Sequence, residues 1–175
     1  MIAELGRLAQ GTRNGEKGTD TIKFIRPSAI PTGKKATYIR IVVDIRPNKK
    51  VKERVRLTIG GDQVDYQGEV TTRTADLTTV KMHLNSTIST PEANFMGLDL
   101  KNFYLNTPLD EHMFVRLAIK YIPKKFMDEY NLWDLEVNGF LYMEVMKGMY
   151  WLPQAGRLAN LLLKERLQVA LAGHR

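Results

Sequence analysis

The sequence predicts an α+β fold, and three observations carry this. Short runs of β-branched residues are interspersed with segments of helical spacing, in mixed order rather than in strict alternation. No internal repeat runs through the chain. Of its 175 residues, 43% are apolar and 26% charged, which suits one domain with a core and excludes compositional disorder.

Residues 1–33 are rich in Gly, Thr and Arg without a clear period, and predict an arm or linker with one strand at Thr21 to Ile25. Residues 34–175 then form the domain proper. Tyr38 to Ile45 is dominated by β-branched residues and predicts a strand. Arg46-Pro47-Asn48-Lys49 supplies a turn, and Val55 to Ile59 alternates apolar and polar as a half-buried strand does. These two strands predict an antiparallel hairpin, ended by the Gly60-Gly61-Asp62 turn. Thr74 is placed to cap a helix from Ala75, with Asp76 favourable in its first turn. Leu77, Val80, Leu84 and Ile88 continue that helix until Pro91 stops it. Phe95 to Leu100 is an apolar run read as a strand ending at Asp99, in a sheet separate from the hairpin. Met113 to Leu117 and Phe140 to Val145 predict further strands, and Pro123 opens a helix through Tyr130. Gly156 to Ala172 has the clearest helical pattern.

Charge divides the chain. Residues 1–60 hold 14 Lys and Arg against 5 acids, a net of +9, whereas residues 61–175 hold 12 against 14. Nine of the basic residues lie between Lys34 and Arg56, so the predicted hairpin carries a basic ribbon. Such a stripe suits a polyanion, since Lys and Arg release counterions when they neutralise phosphates. A solvated charged face is the alternative. There is no cysteine, which excludes disulfides, thiolate zinc sites and a cysteine nucleophile. His83, His112 and His174 are scattered, an arrangement unsuited to a histidine metal site. No apolar stretch approaches the ~20 residues of a membrane span, and Glu4 and Arg7 interrupt the N-terminus in a way a secretory signal does not. The expectation is an intracellular soluble protein that does not engage membrane.

The usual catalytic fingerprints are missing: Gly11 to Lys17 lacks the phosphate-loop spacing, and no H-E-x-x-H or G-x-S-x-G occurs. The unusual residue is Asp99, in Gly97-Leu98-Asp99-Leu100-Lys101-Asn102-Phe103-Tyr104. A carboxylate at an apolar strand end needs a cation, a metal or hydrogen-bond donors. It could hold Mg²⁺ against phosphates, or cap a strand-to-helix turn.

Four blocks in order resemble the reverse transcriptase of copia-class LTR retrotransposons. Arg40-Ile-Val-Val-Asp44-Ile-Arg46-Pro is similar to the fingers motif R-x-x-V-D-x-R. Arg54-Val-Arg-Leu-Thr-Ile-Gly-Gly61 followed by Val64-Asp-Tyr66 is similar to K-A-R-L-V-A-x-G and I-D-Y. Leu98-Asp99-Leu-Lys101-Asn-Phe-Tyr104-Leu-Asn106 resembles L-D-V-K-x-A-F-L-N, polymerase motif A. Lys147-Gly-Met-Tyr150-Trp-Leu152-Pro-Gln154-Ala-Gly resembles A-L-Y-G-L-x-Q, motif B. The leader Glu4 to Gln10 also resembles a segment upstream of the polymerase in some such elements.

The resemblance implies the fingers hairpin and partial palm of a right-hand polymerase, an antiparallel sheet with packed helices, and nucleotidyltransferase chemistry. Its partners would be an RNA or DNA template–primer and a dNTP, in the cytoplasm or nucleus. Asp99 would be catalytic and would ligate Mg²⁺, two ions about 3.5–4 Å apart clamping the attacking and leaving oxygens. Arg40, with Lys34 or Lys35, would contact the triphosphate, Arg as a bidentate clamp and Lys as a point charge. Tyr104 would exclude a ribose 2′-hydroxyl by its bulk, and Gln154 would lie near the incoming nucleotide. The reading requires Arg40, Asp99, Tyr104 and Gln154 to converge on one cleft.

The departures are equally specific. The family's Y-x-D-D block is missing: the sequence has no Asp-Asp pair and no Asp after Asp134. Trp151 stands where the family has Gly, and Ala-Gly-Arg follows Gln154 where the family has A-P-R. If that Gly serves a tight turn, Trp151 strains it. The expectation is a truncated polymerase, inactive alone, whose rivals are a basic nucleic-acid-binding module and an inert remnant of a mobile element.

Overall fold

The computed structural model describes residues 1–49, 52–64, 66–72 and 75–172. Lys50 of the basic ribbon, Asp65 of the Val64-Asp-Tyr66 block, Thr74 and His174 lie outside the described residues. Among the described residues the architecture is mixed α+β: five strands in one curled sheet, and four α-helices. The strands are β1 (Ile22–Ile25), β2 (Thr37–Ile45), β3 (Glu53–Ile59), β4 (Pro108–Ala118) and β5 (Phe140–Lys147). The helices are α1 (Ile2–Leu8), α2 (Leu77–Ser89), α3 (Lys124–Glu129) and α4 (Ala155–Ala172). No helix among the described residues is long and apolar enough to cross a membrane.

The sheet runs β1-β5-β4-β2-β3. The predicted hairpin is present, β2 and β3 pairing antiparallel from Ile39↔Ile59 to Ile45↔Glu53. Its turn closes through Arg46 N–H to the Lys52 carbonyl at 2.7 Å and Lys49 N–H to the Arg46 carbonyl at 3.1 Å. Two expectations about the sheet are corrected. Among the described residues there is one sheet and no second, and that sheet is mixed rather than antiparallel. Both follow from one short join, where β2 runs parallel to β4 at Thr37↔Val115 and Tyr38↔Arg116. Beyond it the hairpin projects, leaving Val43 and Ile45 exposed.

Phe95 to Leu100 is not a strand, and Asp99 does not end one. A strand needs a ladder partner for its backbone groups, and none of the described strands pairs with this segment. Phe95, Met96, Leu98 and Leu100 are exposed accordingly. The chain then turns at Lys101 to Phe103 and through one 3₁₀ turn, Tyr104–Asn106. The first long helix starts at Leu77 rather than Ala75. Asp76 is its N-cap, accepting from Thr79 N–H at 2.8 Å and from the Thr79 hydroxyl at 3.1 Å, because a short carboxylate satisfies orphan N–H groups of the first turn.

The N-terminal segment differs from the expected arm. Ile2, Leu5 and Leu8 recur at helical spacing, form one face of α1, and pack in the core. The return strand of chain is stitched to α1: Thr19, Asp20 and Thr21 N–H groups donate to the carbonyls of Arg7, Ala9 and Leu8 at 2.7–3.0 Å. On the sheet, Leu141, Met143 and Val145 of β5 alternate into the same core. Phe24, Phe126 and Tyr130 close the far side, with Phe126 and Tyr130 stacked at 4.4 Å between ring centroids.

β3 is an edge strand, and exposed edges are templates for wrong pairing. Here two elements cover it. Leu57 N–H donates to the Glu4 carboxylate of α1 at 3.2 Å, and Ile59 N–H donates to the Tyr150 carbonyl at 3.2 Å. These two contacts bring α1 and the segment before α4 against the basic hairpin, and they create the site.

Candidate anion-binding cleft

A cleft of about 510 Å³ opens beside the covered edge of β3. Four parts of the chain line it: Glu4 and Arg7 from α1, Arg54 and Arg56 from β3, Asp99 to Asn102, and Tyr150. The period of two along β3 puts Arg54 and Arg56 on one face of the hairpin. Arg56 lies over the Tyr150 ring, its guanidinium carbon 5.5 Å from the centroid, in cation–π geometry. Its Nε is buried and has no hydrogen-bond partner, an unmet donor in the wall.

Arg7 joins the parts. It donates to the Glu4 carboxylate from Nε at 3.1 Å and also from Nη2, and to Asn102 Oδ1 from Nη1 at 3.1 Å. Burial, the largest single effect, opposes its charge, but the bonds and negative charge of Glu4, helped by the nearby Tyr150, outweigh it, and its pKa is raised. Glu4 is thereby spent on Arg7 and on the Leu57 N–H. What the cleft offers a ligand is therefore cationic: Arg54, Arg56 and Lys101, faced by the single carboxylate of Asp99.

The residues proposed from the sequence divide around this cleft. Asp99 lines it and is exposed. Tyr104 stands behind it, half-buried and edge-on to Tyr150 at 6.1 Å. Arg40 shares the hairpin face with Arg54 and Arg56, since Arg40 opposes Thr58 as Val42 opposes Arg56. It does not line the cleft; it donates to the Tyr38 hydroxyl at 3.0 Å, which donates to Asp62 at 2.9 Å. Lys34 is ion-paired with Glu111, and Lys35 is exposed. Gln154 is fully buried at the start of α4, and neither of its amide atoms has a partner. Arg54 and Arg56 belong to the basic ribbon expected to meet a polyanion; Glu4, Arg7 and Tyr150 are site residues to which the sequence reading assigns no such role. For Glu4 and Arg7 a signal is present, charges three apart in an otherwise apolar helix.

The family's Mg²⁺ pair does not fit this donor set. With Glu4 committed elsewhere, Asp99 alone remains, and one carboxylate leaves Mg²⁺ mostly to water. Among the described residues, no group of three or more acids or histidines is placed to hold a metal. What the cleft does suit is a phosphate: forked arginine donors, a point-charge lysine and the Asn102 amide around one opening. No protein-family model matches the chain, and neither a curated protein nor a solved structure matches it.

Proposed function

We propose that this chain is the fingers and part of the palm of an RNA-directed DNA polymerase of the copia class, and that by itself it binds nucleic acid without extending a primer. The observation that carries the reading is the meeting of Asp99, the motif A position, with Arg54 and Arg56 of the hairpin in one cleft. These residues are distant in sequence, and a polymerase needs fingers cations to face the palm carboxylate. In this reading β2–β3 is the fingers hairpin of an intact enzyme that works in the cytoplasm or nucleus. Of the residues the resemblance gives to a dNTP, Tyr104 stands behind the cleft, whereas Arg40, Lys34 and the buried Gln154 lie outside it. The reading therefore rests on Asp99 and the hairpin arginines and not on the four-residue convergence. The chain's own residues bind and orient phosphate. They do not supply the second carboxylate block that in-line displacement requires.

The test has two arms. In a primer-extension assay with Mg²⁺ or Mn²⁺ the chain is expected to add no nucleotide; extension that disappears in Asp99→Asn would overturn the inactivity. In a salt titration the chain is expected to bind duplex template–primer with a steep dependence. Four engaged cations would give a log–log slope of roughly −3.6, with little sequence preference, since backbone contacts carry no base information. Asp99→Asn should leave that binding intact. Salt-independent affinity would overturn the nucleic-acid reading itself.

A further inference from the structure

A second cleft of about 490 Å³ adjoins the first. Arg7, Lys101 and Asn102 line both, so the two clefts meet at the Arg7–Asn102 hydrogen bond, and together they are called the groove. The far wall of the second part is the loop from Gly15 to Thr19, which carries Lys17. That loop is held in shape. Gly11 and Lys17 form an isolated β-bridge, Thr12 and Glu16 bond through the backbone at 2.9 Å, and Gly15 N–H donates to the Thr12 carbonyl at 3.0 Å. Gly18 packs so closely that a Cβ there would lie 2.3 Å from the Ala9 carbonyl oxygen, an approach that only glycine permits.

Cations follow one another along the groove from Arg54 and Arg56, past Arg7 and Lys101, to Lys17. Of the acids beside them, Glu4 is neutralised by Arg7, leaving Asp99 and Glu16. Lys17 and Lys101 are exposed and make no ion pair among the described residues. Asn102 and Asn106 add amide groups along the floor. A row of cations with amides between them fits the chain of phosphates along a strand rather than a single anion.

We propose that the sugar–phosphate backbone of a single nucleic-acid strand runs through this groove, from the Arg54–Arg56 face across Lys101 to Lys17, so that α1 and the loop following it are part of the nucleic-acid surface. This rests on the nucleic-acid reading above and moves the contact away from the hairpin tip. The groove, not the charge-dense ribbon of Lys34, Lys35, Lys49 and Lys52, makes the contacts that release counterions.

The experiment is a salt titration of binding to a single-stranded oligothymidylate of about 12 nucleotides, with three forms of the full chain. They are the parent, the double variant Lys17→Gln/Lys101→Gln, and the ribbon variant with Lys34, Lys35, Lys49 and Lys52 changed to Gln. Circular dichroism and thermal melting establish that each variant is folded, and both sets of substituted lysines are exposed. Each phosphate contact on a single strand contributes about −0.7 to the log–log slope. The groove variant is expected to lose about 1.4 from the magnitude of the slope, and the ribbon variant to keep the parent's slope. If the parent's binding is salt-dependent but the groove variant's slope is unchanged, the groove is overturned and the nucleic-acid reading stands. If the ribbon variant alone loses the slope, the ribbon is the contact and the groove is again overturned. If the parent shows no salt-dependent binding, both readings fall together.

Discussion

Trp151 has φ +71, in the left-handed region, with 71% of its surface exposed. The backbone around it has no freedom to relax. The Tyr150 carbonyl accepts from Ile59, and a Cβ on Gly61 would lie 2.5 Å from the Trp151 carbonyl oxygen. A bulky L-residue in that region costs about 1–2 kcal/mol, and the exposed indole recovers little by burial. Trp151→Gly is therefore expected to raise stability by about 1 kcal/mol after the extra chain entropy of glycine, read as a higher urea midpoint at unchanged slope. Three residues on, Gln154 buries an amide with no partner. Gln154→Met, of similar size, is expected to stabilise by roughly 1–2 kcal/mol in the same titration. Arg7 works in the other direction. Arg7→Gln strands the Glu4 carboxylate, with 7% of its surface exposed, and should cost roughly 2 kcal/mol or more, with a visible fall in melting temperature.

Of the elements, α2 is the least secured. None of its residues is buried, and its apolar stripe of Leu77, Val80, Leu84 and Ile88 faces outward. Its N-terminus depends on Asp76, whose pKa is lowered by the hydrogen bonds from Thr79. The sign follows from that direction. A carboxyl whose folded pKa lies below its unfolded one stabilises the helix above the unfolded value. That contribution fades as pH falls from the ordinary 3.8 through the lowered pKa. Amide chemical shifts of 77–89 should move toward coil over that window, while Asp76→Asn, an equally good cap that does not titrate, should keep the helical shifts down to the same pH. Capping was half-legible in the sequence: Asp76 was visible as a favourable first-turn acid, but Thr74 competed for the cap. The strand misread at Phe95 to Leu100 has a related origin. Apolar spacing shows that a segment can be buried, whereas a strand also needs a ladder partner that no local pattern contains.

At the scale of the molecule, order is concentrated where strands β1, β5 and β4 pair and α1 and α3 pack beside them. Elsewhere apolar residues are left uncovered: the stripe of α2, Phe95, Met96, Leu98 and Leu100, and Leu161, Leu167 and Val169 of α4. Elements without buried contacts open at a small cost. Hydrogen exchange is therefore expected to protect Leu141 to Val145 most strongly, and to exchange 77–89 among the first. Equal protection of both regions would contradict this distribution of packing.

Local pattern was enough for the α+β class, for the β2–β3 hairpin with its register-setting alternation, for β5, α3 and α4 to within two residues, and for the C-terminal half of β4. These features depend on periodicity and turn residues, both of which are written in neighbouring residues, whereas the burial expected for Asp99 depended on a strand that does not form. The short parallel join of β2 to β4, which merges two expected sheets into one, depends on a pairing of distant segments. So does the N-terminal helix: its apolar positions were present, but only the uncovered edge of β3 gave Glu4 an N–H to accept from and gave Arg7 a place beside Asn102. The cleft exists because tertiary packing carried α1, β3, the Asp99 segment and Tyr150 to one point. Sequence spacing shows the face a residue occupies on its own element, and it contains no information on which other face that one will meet.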